Sequence, residues 1–384
     1  MRTPQKSATC SRRCPQSREA KSYVFLMKTG ADSGAAKPSG DSVVISSRVR
    51  LARNLAGERF VNSADSQTLR RVYEVCARAL GSARRLKSGT LRRIDELSQS
   101  ERMELFEERK ISSDLLSADI SPRGLYLSAD GMSGAMINEE DHLRIFVVGR
   151  RLCPASLWRA ANALDDDIER SVEYAYSPKY GYLTACPTNV GTGIRVSVMM
   201  HLPALEMVSD MEKIVRGVNQ LGMTFRGGYG EGSGSPGAFY QLSNQQTLGI
   251  SEGEIVAKIS KYAKKIREFE LDARARLRED SPLLLADKIL RAHSALSVCR
   301  LIDTAEALGH LSSLRLAADM GMVKIPVETV DALMVSIQPA HLAKLSGLEG
   351  DSFDPIARDC ARADFLRRAM RPVPPPAFPD SRKS

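Results

Sequence analysis

The sequence predicts an α+β protein: a largely antiparallel sheet flanked by helices, followed by an all-helical C-terminal domain. Between residues 124 and 149, three short apolar runs are separated by Gly, Asp and Ser, which is typical of an antiparallel meander. Strand-like and helix-like segments are mixed without the regular βαβ alternation of a doubly wound sheet. After residue 253 the strand-like runs end, and charged helical patterns replace them.

The individual elements follow from hydrophobic periodicity. Short or alternating apolar runs predict strands, and apolar residues spaced three and four apart predict helices. Strands are expected at residues 43–45, 125–127, 135–137, 143–148, 182–185 and 194–199, and within 222–250. Helices are expected at residues 66–82 and 155–175, from Pro203 onward, at 253–279 and in short pieces up to 370.

These elements divide the chain into four segments. Residues 1–40 are basic and are expected to be disordered. The sheet-containing domain covers residues 41–255, and the helical domain covers 256–370. Residues 371–384 form a proline-rich tail that is also expected to be disordered.

The composition excludes several classes of protein. The 384 residues are 43% hydrophobic and 26% charged, as in a soluble globular protein, and no run reaches the ~18–20 apolar residues of a membrane span. Of the net charge of +9, a surplus of +6 lies in residues 1–28, so the body gives little support for direct nucleic-acid binding. Seven dispersed cysteines predict reduced thiols and a cytoplasmic location. Cys10 and Cys14 lack His or Cys partners nearby, so no metal site is predicted.

Several arginines stand at predicted strand ends or beside glycine-rich loops. Arg48 and Arg50 alternate, so they would share one face of a strand. Arginine offers a planar fork of donors that suits phosphate oxygens, and nearby glycines let backbone N–H groups approach the same oxygens. Any one of them alone would more often be an ordinary surface arginine. The set comprises Arg48, Arg50, Arg144, Arg195 and Arg226.

Three consecutive acidic residues occur in Asn138-Glu139-Glu140-Asp141-His142-Leu143-Arg144, between strand-like runs. Buried and unpaired, they would destabilise the fold, so such a run suggests a bound cation. Glu140 and Glu231 could grip a guanidinium, orient one nitrogen for attack and help remove its proton. Cys186 would ionise readily beside such a guanidinium. The structural alternatives are surface carboxylates or loop caps, a buried thiol and, for His142, a satisfied core histidine.

The motifs resemble those of the ATP:guanido phosphotransferases, the family of creatine and arginine kinases. The matching segments are 46–50, 138–144, 186–193 and 226–231, in the family's order across about 190 residues. Each is weak alone, but the ordered set is specific. The resemblance implies a phosphagen kinase catalytic domain over residues 41–255, with ATP and Mg²⁺ as cofactors.

The same resemblance implies a role for each matching residue. Glu140, Glu231 and Cys186 would be catalytic. The nucleotide would be bound by Ser46, Ser47, Arg48, Val49, Arg50, Arg144, Arg195, Val196, Ser197, Val198, Met199, Arg226, Gly227, Gly228, Tyr229, Gly230 and Glu231. One departure concerns residues 108–111: by the resemblance, the bacterial branch of the family has a nucleotide-pocket histidine in this region, where this chain has Arg109.

Residues 188–205 and 241–249 look like the bacterial branch of the family that phosphorylates arginine side chains of proteins. Residues 358–363 resemble that branch's RDxxRA motif, which would bind phosphoarginine allosterically through Arg358, Asp359, Arg362 and Ala363. Only 45 residues precede Ser46, so the helical domain that small-molecule kinases carry there is expected to be missing. Its absence would leave a site open enough for an arginine on a protein chain.

The resemblance also implies partners. They are protein substrates with exposed arginines, a Clp-type protease, a zinc-binding activator protein and a second copy in a homodimer. Two alternatives remain at this stage. One is a kinase for free arginine or another small guanidino compound, and the other is a non-catalytic adaptor that binds phosphoarginine.

Overall fold

A computed structural model describes residues 42–117, 121–227, 235–347 and 354–378. The predicted disordered segment 1–40 and residues 379–384 of the predicted tail lie outside these ranges. The strands are β1 (Val44–Arg53), β2 (Thr90–Arg93), β3 (Gly124–Leu127), β4 (Ser133–Ile137), β5 (Leu143–Arg150), β6 (Tyr176–Ser177), β7 (Gly181–Tyr182), β8 (Ile194–His201), β9 (Met223–Gly227) and β10 (Phe239–Asn244). The helices are α1 (Ser66–Ser82), α2 (Gln99–Glu107), α3 (Pro154–Glu169), α4 (Pro203–Met207), α5 (Met211–Gln220), α6 (Glu252–Asp280), α7 (Pro282–Val298), α8 (Thr304–Asp319), α9 (Val327–Ser336), α10 (Pro339–Ser346) and α11 (Pro355–Met370).

Eight of the strands form one sheet in the order β2-β3-β4-β5-β1-β8-β10-β9. Every neighbouring pair in it is antiparallel. The predicted fold class, a largely antiparallel sheet with flanking helices and a helical C-terminal region, is confirmed. The predicted meander corresponds to β3, β4 and β5, which are consecutive in the chain and adjacent in the sheet.

The first strand is longer than the sequence predicted. It continues through Arg53 instead of ending at residue 45, so Arg48 and Arg50 lie within β1 and do not follow it. The reason is the polar–apolar alternation of Arg48 to Leu51, which gives this part of the central strand one buried apolar face while β5 and β8 pair with both its edges.

Two other predicted boundaries differ from the structure. The helix predicted over 155–175 ends at Glu169. The strand predicted over 182–185 shrinks to β7, which pairs with β6 and forms a single bridge from Tyr182 to Gly191. Beyond β7 the Leu183 N–H donates to the Ala175 carbonyl, and side chains provide other partners: Asn54 Nδ2 donates to the Leu183 carbonyl and the Ala185 N–H donates to Asp141 Oδ1.

One face of the sheet forms the main hydrophobic core. Val49, Leu51, Val196 and Val198 are fully buried there, against apolar residues of α1, α3 and α6. Fully burying such a side chain contributes about 1.5–3 kcal/mol. The opposite face carries a smaller apolar cluster around Phe146, next to α2, and beyond that cluster it is polar.

Helix α6 joins the sheet to the helical segment. It begins at a capping box formed by Ser251 and Glu254, and it ends before Pro282. It runs without a break through residues 255 and 256, the predicted domain boundary. At the far end, residues 371–378 lie against the helices: Val373 is buried, and its carbonyl contacts His293 Nε2 at 3.1 Å.

Candidate active site

Four arginines of the central strands share one face of the sheet. Arg50 of β1 lies opposite Arg195 of β8, and Ala52 of β1 lies opposite Arg144 of β5. Directly paired residues, and residues two apart along a strand, point to the same side of an antiparallel sheet. Arg48, two residues before Arg50, therefore lies on this face as well.

Arg226 reaches the same face through two further strands. Ser197, two residues beyond Arg195, pairs with Ser243 of β10. Gln241, two residues before Ser243, pairs with Arg226 of β9. The register therefore gathers five arginines, separated by up to 178 positions in the chain, into one arginine face. We use this name below for Arg48, Arg50, Arg144, Arg195 and Arg226.

The arginine face carries more positive charge than its surroundings compensate. Burial holds the pKa of Arg50 well below its ordinary value, and the neighbouring Arg144, Arg48 and Arg195 lower it further. Burial, together with Arg144 and Arg109, lowers the pKa of Arg48 to about 10. Burial also lowers the pKa of Arg195. A site that penalises its own cations in this way is electrostatically complementary to a polyanion.

The same guanidinium groups hold unused hydrogen-bond donors. The Nε atoms of Arg48, Arg50 and Arg195 are buried without a hydrogen-bond partner within the described parts of the chain. Other donors are engaged: Arg48 Nη1 donates to the Arg109 carbonyl at 2.8 Å, and Arg195 Nη2 donates to Ser243 Oγ at 3.3 Å. A buried donor left unsatisfied costs about 1–3 kcal/mol. Phosphate oxygens would satisfy these donors, so the arginine face fits the phosphates of a nucleotide.

In the acidic loop between β4 and β5, Glu139, Asp141 and His142 have ion-pair or hydrogen-bond partners within the fold. The buried Glu139 forms an ion pair with the partly exposed Arg144. Asp141 Oδ1 accepts hydrogen bonds from Asn54 Nδ2 at 2.6 Å and from the Ala185 N–H at 2.7 Å. His142 Nδ1 accepts from a backbone N–H of Leu55 at 3.0 Å, which makes it a satisfied core histidine.

Glu140 is the exception. Its side chain is half-buried, and no hydrogen bond or ion pair to its carboxylate is found among the described residues. Burial raises its pKa, against the opposing charge of Arg144, and the neighbouring acids Asp141 and Glu139 raise it further. Its charge also acts on Arg195. Glu140 therefore lies beside the arginine face with a carboxylate that has no hydrogen-bond or ion-pair partner among the described residues.

Cys186 approaches the same place from another loop. It immediately precedes a short 3₁₀ turn, Pro187–Asn189, and its Sγ lies 3.0 Å from Thr188 Oγ1. Cys186 and Glu140 are both close enough to Arg195 to contribute to the pKa of that arginine. The loop is held on its other side by Thr247, whose Oγ1 lies 2.8 Å from the Thr188 carbonyl oxygen and 2.7 Å from the Val190 carbonyl oxygen, so that one hydroxyl hydrogen serves both.

The other predicted nucleotide residues separate by sheet face. Ser46, Ser197 and Met199 lie on the side of the arginines. Ser47, Val49, Val196 and Val198 are buried on the opposite side, so the structure does not bring their side chains to the arginine face. Gly227 ends β9. The predicted residues Gly228, Tyr229, Gly230 and Glu231 lie outside the described ranges.

A cavity of about 310 Å³ continues the arginine face toward the helical segment. Ser46, Met199 and Arg109 line it on the sheet side. Sequence reasoning did not identify the residues on its other wall, because they come from α8 and α9, more than 100 positions away. These include Arg315, Glu328 and Asp331.

The predicted phosphoarginine motif lies on α11. Arg362 is buried, and its Nε donates to the Ile337 carbonyl while its Nη1 donates to the Ile302 carbonyl and to Asp359 Oδ1. Ala363 is also buried, whereas Arg358 and Asp359 are partly exposed. The structure thus places Arg358 and Asp359 at the surface and uses most donors of Arg362 within the fold.

Two kinds of feature are absent from the described residues. No group of three or more His, Cys, Asp or Glu side chains is arranged to hold a metal ion there. No helix in these ranges combines the length and apolar character needed to cross a bilayer.

Comparison with known proteins places this site in a family. The family model of the ATP:guanido phosphotransferase C-terminal catalytic domain matches residues 71–273, and that of the protein-arginine kinase McsB C-terminal domain matches residues 282–381. The protein-arginine kinase of Pelotomaculum thermopropionicum is 40% identical over 336 residues, which cover 86% of this chain and 93% of that protein. The protein-arginine kinase of Bacillus pumilus is 39% identical over 87% of this chain and 91% of its own length.

Solved structures show the same fold at lower identity. Lombricine kinase superposes with a TM-score of 0.53 at 24% identity, covering 66% of this chain and 76% of its own. The substrate-free duplicated taurocyamine kinase of Schistosoma mansoni gives a TM-score of 0.54 at 20% identity, covering 88% of this chain and 51% of its own. At these identities the likeness concerns the fold alone.

The fold, the arginine face and these matches define the class: the chain belongs to the ATP:guanido phosphotransferase family. Within that family it groups with the protein-arginine kinases, whose curated members match it over most of their length.

Proposed function

We propose that this protein transfers the γ-phosphoryl group of Mg-ATP to a guanidinium nitrogen of arginine side chains in proteins. The observation that carries the proposal is the arginine face, with its buried unsatisfied donors, beside the Glu140 carboxylate, which has no partner among the described residues. Phosphoryl transfer needs little from an enzyme besides positioning and charge stabilisation, and this face supplies both.

The ends of the strands indicate how ATP would lie. Glu140 precedes β5 and Cys186 precedes β8, so both stand near the end of β1, where Arg53 pairs with Leu143. The 310 Å³ cavity lies at the opposite end, where Ser46 pairs with Met199. We therefore place the γ-phosphate toward Glu140, the other phosphates over the arginine face and the nucleoside in the cavity.

Glu140 would act on the acceptor. Its carboxylate binds the substrate guanidinium, orients one nitrogen in line with the γ-phosphorus and takes the proton that this nitrogen loses as the P–N bond forms. The raised pKa of Glu140 makes its carboxylate a better proton acceptor than an ordinary surface glutamate. ADP leaves as the bond to the β–γ bridging oxygen breaks, and the arginine face stabilises the charge on it. By the family resemblance, Glu231 would hold the other side of the guanidinium, and Cys186 would lie beside it.

The ATP would be bound together with Mg²⁺. The described residues offer no cluster of carboxylates for the ion, so phosphate oxygens and water would hold it, as is usual for Mg²⁺. When bound, the ion would neutralise phosphate charge alongside the arginines.

The remaining proposals concern the cellular role. The match to the McsB C-terminal domain supports a phosphoarginine-binding role for Arg358, Asp359, Arg362 and Ala363. We further propose a homodimer, a zinc-binding activator protein, delivery of phosphorylated substrates to a Clp-type protease, and a cytoplasmic location. These rest on the family resemblance and, for the location, on the dispersed cysteines.

The test uses the purified protein, Mg-ATP and casein, with arginine phosphorylation detected by mass spectrometry under non-acidic conditions. We expect phosphoarginine with the wild type and none with Glu140→Ala, while ATP binding persists in the variant. Glu212→Ala is the matched control, because that carboxylate is 91% exposed on α5.

The other outcomes separate the alternatives. ADP release with free arginine, but no phosphoarginine on protein, would identify a kinase of small guanidino compounds. Phosphoarginine binding without turnover of any guanidino acceptor would identify an adaptor. Near-normal activity of Glu140→Ala would remove the catalytic assignment.

A further inference from the structure

Helix α10 of the helical segment is capped by a side chain from the sheet domain. Its own N-cap residue, Gln338, makes no side-chain capping hydrogen bond. Instead Glu107, the last residue of α2, accepts from the Ala340 N–H at 2.8 Å and from the His341 N–H at 3.1 Å. Free N–H groups at a helix start normally need such an acceptor, and here a distant element supplies it.

The His341 side chain completes the contact. His341 Nδ1 lies 2.7 Å from Glu107 Oε2, and the two side chains are only 4% and 6% exposed. Burial would lower the pKa of His341, but the hydrogen bond to Glu107 and the carboxylate of Glu108, 3.6 Å from Nε2, outweigh it and raise that pKa to about 9. The imidazolium therefore donates to Glu107 at neutral pH, and the bond is charge-assisted.

Two residues beyond Glu107, the chain reaches the arginine face. Arg109 adopts a left-handed conformation with φ of 59°, and its N–H donates to the Phe106 carbonyl at 2.8 Å. The Lys110 N–H closes the turn by donating to the Leu105 carbonyl at 2.8 Å. In this turn the Arg109 carbonyl faces Arg48 and accepts from its Nη1 at 2.8 Å.

We propose that Glu107 is a positioning residue for the phosphate site: by capping α10, it fixes the turn whose Arg109 carbonyl orients Arg48. This inference rests on the proposed binding of ATP at the arginine face. Glu107 also lines the cavity proposed for the nucleoside, but it is not part of the arginine face, and both its carboxylate oxygens are used by α10. Its effect on nucleotide binding passes through the tight turn of residues 107–109 to Arg48, one of the arginines that would bind the phosphates.

The connection extends into the helical segment. Ile337, which ends α9 just before α10, accepts a hydrogen bond from Arg362 Nε of α11. The segment between α9 and α10 is thus held by α11 on one side and by Glu107 on the other. The geometry makes the helical segment a structural support for Arg48, so its packing and the affinity for ATP are coupled.

Variants on the α10 side test the coupling without changing the nucleotide cavity, because the described lining of that cavity does not include His341. We expect His341→Ala to raise the KM for ATP by at least about fivefold, the lower end of typical coupling between sites, with kcat and the KM for the protein acceptor little changed. His341→Asn retains an N–H donor at the position of Nδ1 and should restore most of the affinity.

The matched control is Glu104→Gln. Glu104 lies one turn earlier on α2 and contacts Lys344 of α10 at 3.2 Å, across the same pair of helices but with greater exposure. The Glu104 side chain does not belong to the turn that holds Arg48. The KM of Glu104→Gln for ATP should therefore stay within about twofold of the wild-type value. Equal KM values for ATP in His341→Ala and Glu104→Gln would contradict the proposal.

A measurement on the unmodified protein provides a second test. Coupling is reciprocal, so saturation with a non-hydrolysable imido analogue of ATP must slow amide hydrogen exchange at residues 340 and 341. The N-terminus of α8, capped locally by Asp303, serves as the reference and should not respond. Protection of β1 and β8 without protection of α10 would overturn the inference but leave the proposed function intact. No protection in either region would overturn both.

Discussion

Buried arginines in two regions of this molecule have opposite surroundings. In the helical segment, Arg315 is 2% exposed, donates to both carboxylate oxygens of Asp331 and to the Ser42 carbonyl, and lies 3.1 Å from His201 Nδ1. On the arginine face, Arg50 is buried beside other arginines, and its Nε has no partner in the described structure. The same side chain is therefore satisfied in one region and unsatisfied in the other.

The difference separates a structural role from a binding role. A buried charge without a partner costs several kcal/mol, so a fold that needed these arginines only for stability would pair them. The arginine face instead leaves three buried Nε atoms unpaired on two adjacent strands. A polyanionic ligand would supply the missing partners, whereas the guanidinium of Arg315 already has Asp331, His201 and the Ser42 carbonyl as partners. The buried, unpaired Nε atoms of Arg48, Arg50 and Arg195 distinguish these arginines from Arg315.

The largest effect is expected when an arginine of the face is removed. Arg50→Met should lower kcat for arginine phosphorylation by about 10³–10⁵, the value of an arginine that stabilises phosphoryl transfer. The variant should be as stable as the wild type or more stable, because it loses an uncompensated buried charge. Steady-state kinetics and urea unfolding measure the two quantities. A strongly destabilised Arg50→Met would show that this arginine supports the fold and would contradict the distinction drawn between Arg50 and Arg315.

The opposite result is expected in the helical segment. Arg315→Met should lower the free energy of unfolding by about 3–5 kcal/mol, because it leaves Asp331 and a backbone carbonyl without their cationic partner. Urea unfolding monitored by circular dichroism measures the loss. The control is Arg216→Met on α5, where the arginine side chain is 72% exposed and its removal should change stability by less than about 0.5 kcal/mol. Equal stability of the two variants would contradict the structural role of Arg315.

The local sequence predicted only those features of the arginine face that depend on residues close together in the chain. The spacing of Arg48 and Arg50 was enough to place both on one strand face. It could not show that Arg195 lies opposite Arg50, because strand register depends on pairing between segments about 145 positions apart. The structure supplied that register and so showed that the positive charges of these arginines lie close together.

The acidic loop shows the same limit. Glu139 and Glu140 are adjacent and chemically identical, so the sequence could single out Glu140 only by resemblance to a family. The structure separates them physically, since Glu139 is paired with Arg144 while Glu140 has no such partner in the described residues. The contact of Glu107 with His341 was also beyond local prediction, because 234 positions separate the two residues.

The smallest effect concerns His341, a buried cation that is paired as Arg315 is, but titratable. Its pKa in the folded protein, about 9, lies above its ordinary value of 6.5, because Glu107 and Glu108 favour the charged form. A group whose pKa is raised on folding contributes stability that is complete below its unfolded pKa and is lost as the pH rises through its folded pKa. Between pH 6.5 and 9 the wild type should therefore lose free energy of unfolding relative to His341→Asn, by as much as about 3 kcal/mol. Urea unfolding of both proteins across this range measures the difference. Parallel pH profiles would mean that His341 is neutral in the folded state and that Glu107 holds α10 through the backbone N–H groups alone.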